Sequence, residues 1–96
     1  VRGLLQIDAG AAGALRAGKS LLPVGIVGVD GTFGRGDAVM LAGSNGGEIG
    51  RGLAAYSSEE ASSIKGCRSE QIEAILGYRG RSVVVHRDDM VLFERK

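Results

Sequence analysis

Residues 8–29 read DAGAAGALRAGKSLLPVGIVGV, and how this stretch is parsed decides the fold. Within it, Gly13, Gly18, Lys19 and Ser20 satisfy every fixed position of the phosphate-loop pattern G-x-x-x-x-G-K-[ST]. A working phosphate loop follows a strand and opens a helix, so that loop amides and the helix N-terminus surround the phosphates. Here the order is reversed. Asp8 stands where a helix N-cap belongs, the alanine-rich run Ala9 to Ala17 favours helix, and Gly18 is a C-terminal stop. Gly10 and Gly13 weaken that helix, yet their missing side chains suit close packing on a sheet. The β-branched, glycine-spaced run that follows predicts a strand entered through an irregular edge at Pro23. Pro23 would also break any helix started at Lys19. The segment is therefore predicted as helix, stop and strand, with no nucleotide cradle.

The flanking sequence extends this pattern. LLQI (residues 4–7) reads as a short strand before the helix. GTFGRGD (31–37) is a turn-rich connection, and AVMLA (38–42) a buried strand. GSNGG (43–47) carries an Asn-Gly hairpin signal, with residues 48–56 as the returning strand, bent or bulged at its glycines. In SSEEASSIKG (57–66), Ser57 and Glu60 form a capping-box pair and Gly66 a stop. SEQIEAILG (69–77) is read the same way, with Ser69 as cap, Gly77 as stop, and Ile72, Ile75 and Leu76 on one face. SVVVHRDDMVLFE (82–94) predicts two strands, or one bent around Asp88-Asp89. The fold class expected is α+β, a compact small barrel with short helices.

Composition bounds the function. Seventeen glycines with a single proline point to tight turns and close backbone approaches rather than disorder. Twelve basic residues, nine of them arginine, against eleven acidic ones leave a net charge of +1, so no strong field draws the chain to nucleic acid or membrane. One cysteine, Cys67, allows neither an internal disulfide nor a cysteine-based zinc cluster. No apolar run approaches the about 18 residues a membrane span needs, and no secretory signal is recognisable. A cytoplasmic location is expected. The chain starts at Val1, almost inside its first apolar run, and residues 1–96 are expected to be one domain cut from the C-terminus of a longer enzyme.

Other motifs yield no chemistry. His86-Arg87-Asp88 matches part of the protein-kinase catalytic loop, but the metal-binding asparagine position holds Phe93 and no kinase glycine loop precedes it. Arg35-Gly36-Asp37 is a glycine turn. His86, the only histidine, is expected to be a structural hydrogen-bonding residue, Asp88-Asp89 a solvated turn and Cys67 a tolerated turn residue. No metal-ligand spacing and no catalytic constellation are present in the sequence pattern.

The run IDAGAAGALRAGKSLLPVGIVGVDGTFGRGDAVML resembles the PUA domain, a module named for pseudouridine synthases and archaeosine transglycosylases. Asp8, Gly10, Ala11, Ala14, Gly18, Gly25, Val27, Phe33, Gly36, Asp37 and Val39 carry the resemblance, and Gly50–Gly52 fits the next glycine position. Further along, GLAAYSSEEASSIKG, SEQIEAILGY and VVVHRDDMVLF are similar to the PUA domains that end glutamate 5-kinases; Cys67 and Asp89 depart from that pattern. The resemblance implies a pseudo-barrel of mixed strands with a helix at its side, whose Asp8, Gly10, Gly18, Gly25, Gly36 and Asp37 are structural. It implies a parent that phosphorylates glutamate with ATP and magnesium in an amino-acid-kinase domain absent here, so no cofactor is expected in this domain. Expected partners are that kinase domain and neighbouring subunits of a homo-oligomer, or, as elsewhere in the superfamily, RNA. Arg16, Lys19 and Arg35 are the candidate contacts to phosphate, the first two forming one face.

Overall fold

The computed structural model describes residues 2–43, 45–78 and 80–93. Strand β1 (Gly3–Ile7) leads into helix α1 (Ala9–Arg16), and a 3₁₀ turn at Pro23–Gly25 into β2 (Ile26–Gly31). Then come β3 (Ala38–Gly43), β4 (Glu48–Leu53), helix α2 (Ser58–Ile64), a 3₁₀ turn at Ser69–Gln71, helix α3 (Ile72–Leu76), a 3₁₀ turn at Arg87–Asp89 and β5 (Met90–Leu92). The sheet order is β2-β1-β3-β4-β5. All neighbours are antiparallel except β1 and β3, which run parallel.

The apolar alternation of the strands builds the core. Leu5 and Ile7 of β1 face the same side as Val39 and Leu41 of β3, and all four are fully buried. Leu5 lies opposite Leu41 in the parallel register. Outside the strands, Leu21 pairs with Val85 in an isolated antiparallel bridge, through Leu21 N–H to Val85 O (2.9 Å) and Val84 N–H to Leu21 O (2.7 Å). That bridge joins the segments leading into the two edge strands, so the sheet curls towards closure and the expected α+β, mixed-strand fold is found. The strand expected from Leu21 onward is this bridge, the Pro23 turn and β2 in succession.

Local signals are realised in detail. The β3–β4 hairpin turns at Gly46 (φ +85°), where Asn45 Oδ1 accepts from Gly47 N–H (3.0 Å). Its bulge falls where Leu41 pairs with Gly50 but Ala42 with Glu48, leaving Ile49 as the extra residue. The capping box of α2 is complete: Ser57 Oγ accepts from Glu60 N–H, and Glu60 Oε1 from Ser57 N–H. Three expectations need correction. Ser69 does not cap; Arg68 holds that position, its N–H donating to Gln71 Oε1 (3.0 Å), while Ser69 Oγ donates to Ser82 O. Ile75 is 41% exposed and leaves the inward face to Ile72 and the partly buried Leu76. Residues 83–85 contribute only the bridge, so the last strand is β5 alone.

Candidate functional site

Helix α1 organises the candidate surface. Asp8 has extended backbone and its Oδ1 accepts from Ala11 N–H at 2.7 Å, the N-cap the sequence predicts. At the other end Gly18 adopts φ +86°, its N–H donates to Leu15 O (3.0 Å), and Lys19 N–H donates to Ala14 O (3.0 Å). This is a Schellman stop. It also settles the phosphate-loop match chemically. The amides of Gly18 and Lys19 point back into the helix, and Ser20 Oγ accepts from Arg87 N–H (2.9 Å).

The helix lies against the start of β2 because Gly25 lacks a side chain. A Cβ there would stand 2.5 Å from Ala11 Cβ, well inside contact distance. Between α1 and residues 19–25 runs a groove of about 420 Å³, mostly apolar, with Asp8, Lys19 and Ser20 as its polar lining. Leu22 and Val24, flanking the buried Pro23, are exposed at 43% and 51%. Lys19 makes no ion pair with any described residue.

The other two candidate cations lie elsewhere. Arg16 lines a separate groove with Ala12, Asn45 and Glu48. Arg16 and Lys19 would share a helix face three residues apart, but the left-handed Gly18 reverses the chain between them. Their expected common face is therefore divided by α1, with only Asp8 touching both grooves. Arg35 stands on a third cavity of about 510 Å³. Its Nε donates to Glu60 Oε1 (2.9 Å) and its Nη2 to Glu60 Oε2 and to Tyr78 Oη (3.0 Å). The guanidinium carbon sits 5.9 Å from the Tyr56 ring centre and 5.5 Å from that of Tyr78.

This fork-on-fork contact shapes the local electrostatics. Hydrogen bonding from Arg35 holds the Glu60 carboxyl at about 2, against an ordinary 4.5, and Glu60 in turn raises the Arg35 guanidinium. Burial pushes the Tyr56 hydroxyl up, and that hydroxyl donates to Arg81 O. The sequence reading missed Glu60 as the partner of Arg35, since no local pattern links residues 25 positions apart.

The other positions singled out in the sequence have these surroundings. Gly36 has φ +86° and donates to Ala54 O (2.7 Å), while Asp37 Oδ2 accepts from Gly34 N–H (2.8 Å). Gly10 is exposed, and a Cβ there would meet only Asp8 Oδ1, at 3.4 Å. His86 Nδ1 accepts from Asp88 N–H (3.1 Å) and caps the turn at Arg87–Asp89. Among the described residues no group of three or more histidine, cysteine or acidic side chains is placed to hold a metal, and no helix is long and apolar enough to cross a membrane.

The strand order, the capped α1 and the Gly18–Gly25 geometry define a known class: residues 3–76 match the PUA domain, and the chain belongs to that family. More narrowly, it is similar to the C-terminal region of glutamate 5-kinases. It is 58% identical over 91 residues to the glutamate 5-kinase of Cereibacter sphaeroides and 57% identical over 91 residues to that of Dinoroseobacter shibae. Each alignment covers 95% of this chain but 25% of the relative, so the chain spans about a quarter of the length of the curated relatives it matches. Among solved structures, a PUA domain from Aeropyrum pernix, crystallised as a tartrate complex, superposes with a TM-score of 0.65 at 30% identity, covering 88% of this chain and 42% of that one. An archaeal box H/ACA sRNP Nop10–Cbf5 complex gives a TM-score of 0.62 at 20% identity, covering 97% of this chain and 24% of that one, a likeness of fold alone.

Proposed function

We propose that this chain is the non-catalytic C-terminal module of an enzyme of the glutamate 5-kinase type, contacting its kinase domain or neighbouring subunits and modulating their activity. The observation that carries this reading is the near-complete match of the chain to only the last quarter of those kinases. In this reading ATP, magnesium and glutamate belong to the amino-acid-kinase portion of the parent, where phosphate is transferred to the glutamate side-chain carboxylate, in the cytoplasm, as the first step of proline biosynthesis. The apolar groove beside α1, with Leu22 and Val24 exposed, supports a protein-facing role. Deleting the segment that corresponds to residues 1–96 from a full-length parent tests it. The oligomeric state, kinetic constants or feedback response should change; all three unchanged would sink the idea.

A second reading, RNA recognition, is favoured by one observation: Lys19 stands at the open groove with no ion pair to any described residue, with Arg16 on the groove across the helix. Proteins of the same fold occur in RNA-modifying assemblies. Structured RNA titrated at low salt decides it. Binding should be weakened strongly by the pair Arg16→Glu and Lys19→Glu and should fall with added salt; equal binding by wild type and variant refutes it.

A further inference from the structure

The cavity at Arg35 lies apart from the groove beside α1, and the proposed modular role makes no use of it. Its polar groups differ in what they have left to offer. Arg35 commits Nε and Nη2 to Glu60, and Nη2 also to Tyr78. No described residue accepts from Nη1. The Tyr78 oxygen is the acceptor in its contact with Arg35, so its own proton is free to be donated elsewhere. Tyr56 anchors the wall by donating its hydroxyl to Arg81 O. Arg81 lines the same cavity, and its side chain pairs with no described carboxylate. Asp89 is the one described carboxylate on the lining.

The charges therefore sort into two pairs. Among the described residues, Arg35 and Glu60 cancel each other directly, which leaves Arg81 and Asp89 on the cavity wall. Three donors have no acceptor among the described residues: Arg35 Nη1, Tyr78 Oη–H and the Arg81 guanidinium. Arg35 is also held in place before any ligand arrives, between two tyrosine rings and a bidentate carboxylate.

We propose that this cavity is a binding site for a small carboxylate monoanion, gripped by Arg81 and the Tyr78 hydroxyl with Arg35 Nη1 as third donor. A planar guanidinium fork matches the two oxygens of a carboxylate. A phosphate dianion fits less well, because it brings a second negative charge beside Asp89. The volume of about 510 Å³ accommodates a metabolite-sized acid with room for water.

The test is a titration of the chain with sodium acetate, followed by amide resonances, against sodium chloride at the same ionic strength. The amides of Gly36, Ala55, Gly80 and Arg81 should shift saturably with acetate and not with chloride. Arg81→Gln should weaken binding about tenfold, the loss of one charge-assisted hydrogen bond, and Tyr78→Phe by a smaller factor. Both side chains are exposed, so an otherwise unchanged spectrum verifies that the variants fold. Equal shifts in chloride, or unchanged affinity in both variants, overturns the site. Tighter binding of inorganic phosphate than of acetate at these amides overturns the choice of carboxylate.

Discussion

The surface beside α1 and the surface around Arg35 both present arginine or lysine, yet they are built by opposite means. At α1 the geometry comes from backbone and small residues: Gly25 lets Ala11 approach, and Gly18 turns the chain so that the Lys19 side chain leaves the helix with no ion pair to a described residue. Around Arg35 it comes from long polar side chains drawn from three distant places, Arg35, Glu60 and Tyr78. The lesson is that a cation's availability depends on what the fold places beside it. Lys19 is open because everything local points backwards into the helix; Arg35 is mostly engaged because a carboxylate 25 residues away arrives on α2.

The contrast can be broken from either side. The largest effect is expected at Gly25→Val, whose Cβ must push against Ala11; urea unfolding should show about 1–3 kcal/mol of lost stability, and the groove should open. Gly13→Ala is its opposite within the same helix. No atom lies within 4 Å of the added methyl, so about 0.5–1 kcal/mol of stabilisation should be measured. On the other surface, Glu60→Gln keeps an acceptor for the Ser57 amide but loses the charge opposite Arg35. Since the Arg35 side chain is 57% exposed, solvent screening holds the loss to about 0.5–1 kcal/mol. Its sign with pH is specific. The folded carboxyl titrates at about 2 rather than 4.5, so the contribution is complete above about 4.5 and disappears as pH falls towards 2. Denaturation midpoints measured across that window should converge for wild type and Glu60→Gln. Smallest of all is Lys19→Ala, expected within about 0.5 kcal/mol of wild type, because the residue holds its place through backbone hydrogen bonds.

Much of the fold was legible because its signals act over six residues or fewer. The Asp8 cap, the Gly18 stop, the Asn45-Gly46 turn and the Ser57–Glu60 box each involve near neighbours, and each is found. The two serine-led helix starts show where such reading fails. Ser57 is followed three residues later by Glu60, whose carboxylate reaches back to close the box. Three residues after Ser69 stands Ile72, a buried side chain with no acceptor, whereas three after Arg68 stands Gln71. The acceptor, not the serine, set the start. The candidate site was less legible. Arg16 and Lys19 were expected together as near neighbours at the end of one helix, and the turn at Gly18 separates them. The Arg35–Glu60 contact and the cavity with Arg81 depend on tertiary packing that no local pattern announces.

β1 is the first strand in the chain but lies inside the sheet, with β2 on one flank and β3 on the other. Neither partner follows it across a short turn; their ladders begin at residues 26 and 38. Closing loops of that length costs chain entropy before any ladder bond repays it, whereas β3 and β4 zip across a short turn. The β3–β4 hairpin is therefore expected to form ahead of the ladders of β1. Substitutions in Gly3–Ile7 should then alter the unfolding rate more than the folding rate, and substitutions in the hairpin the reverse.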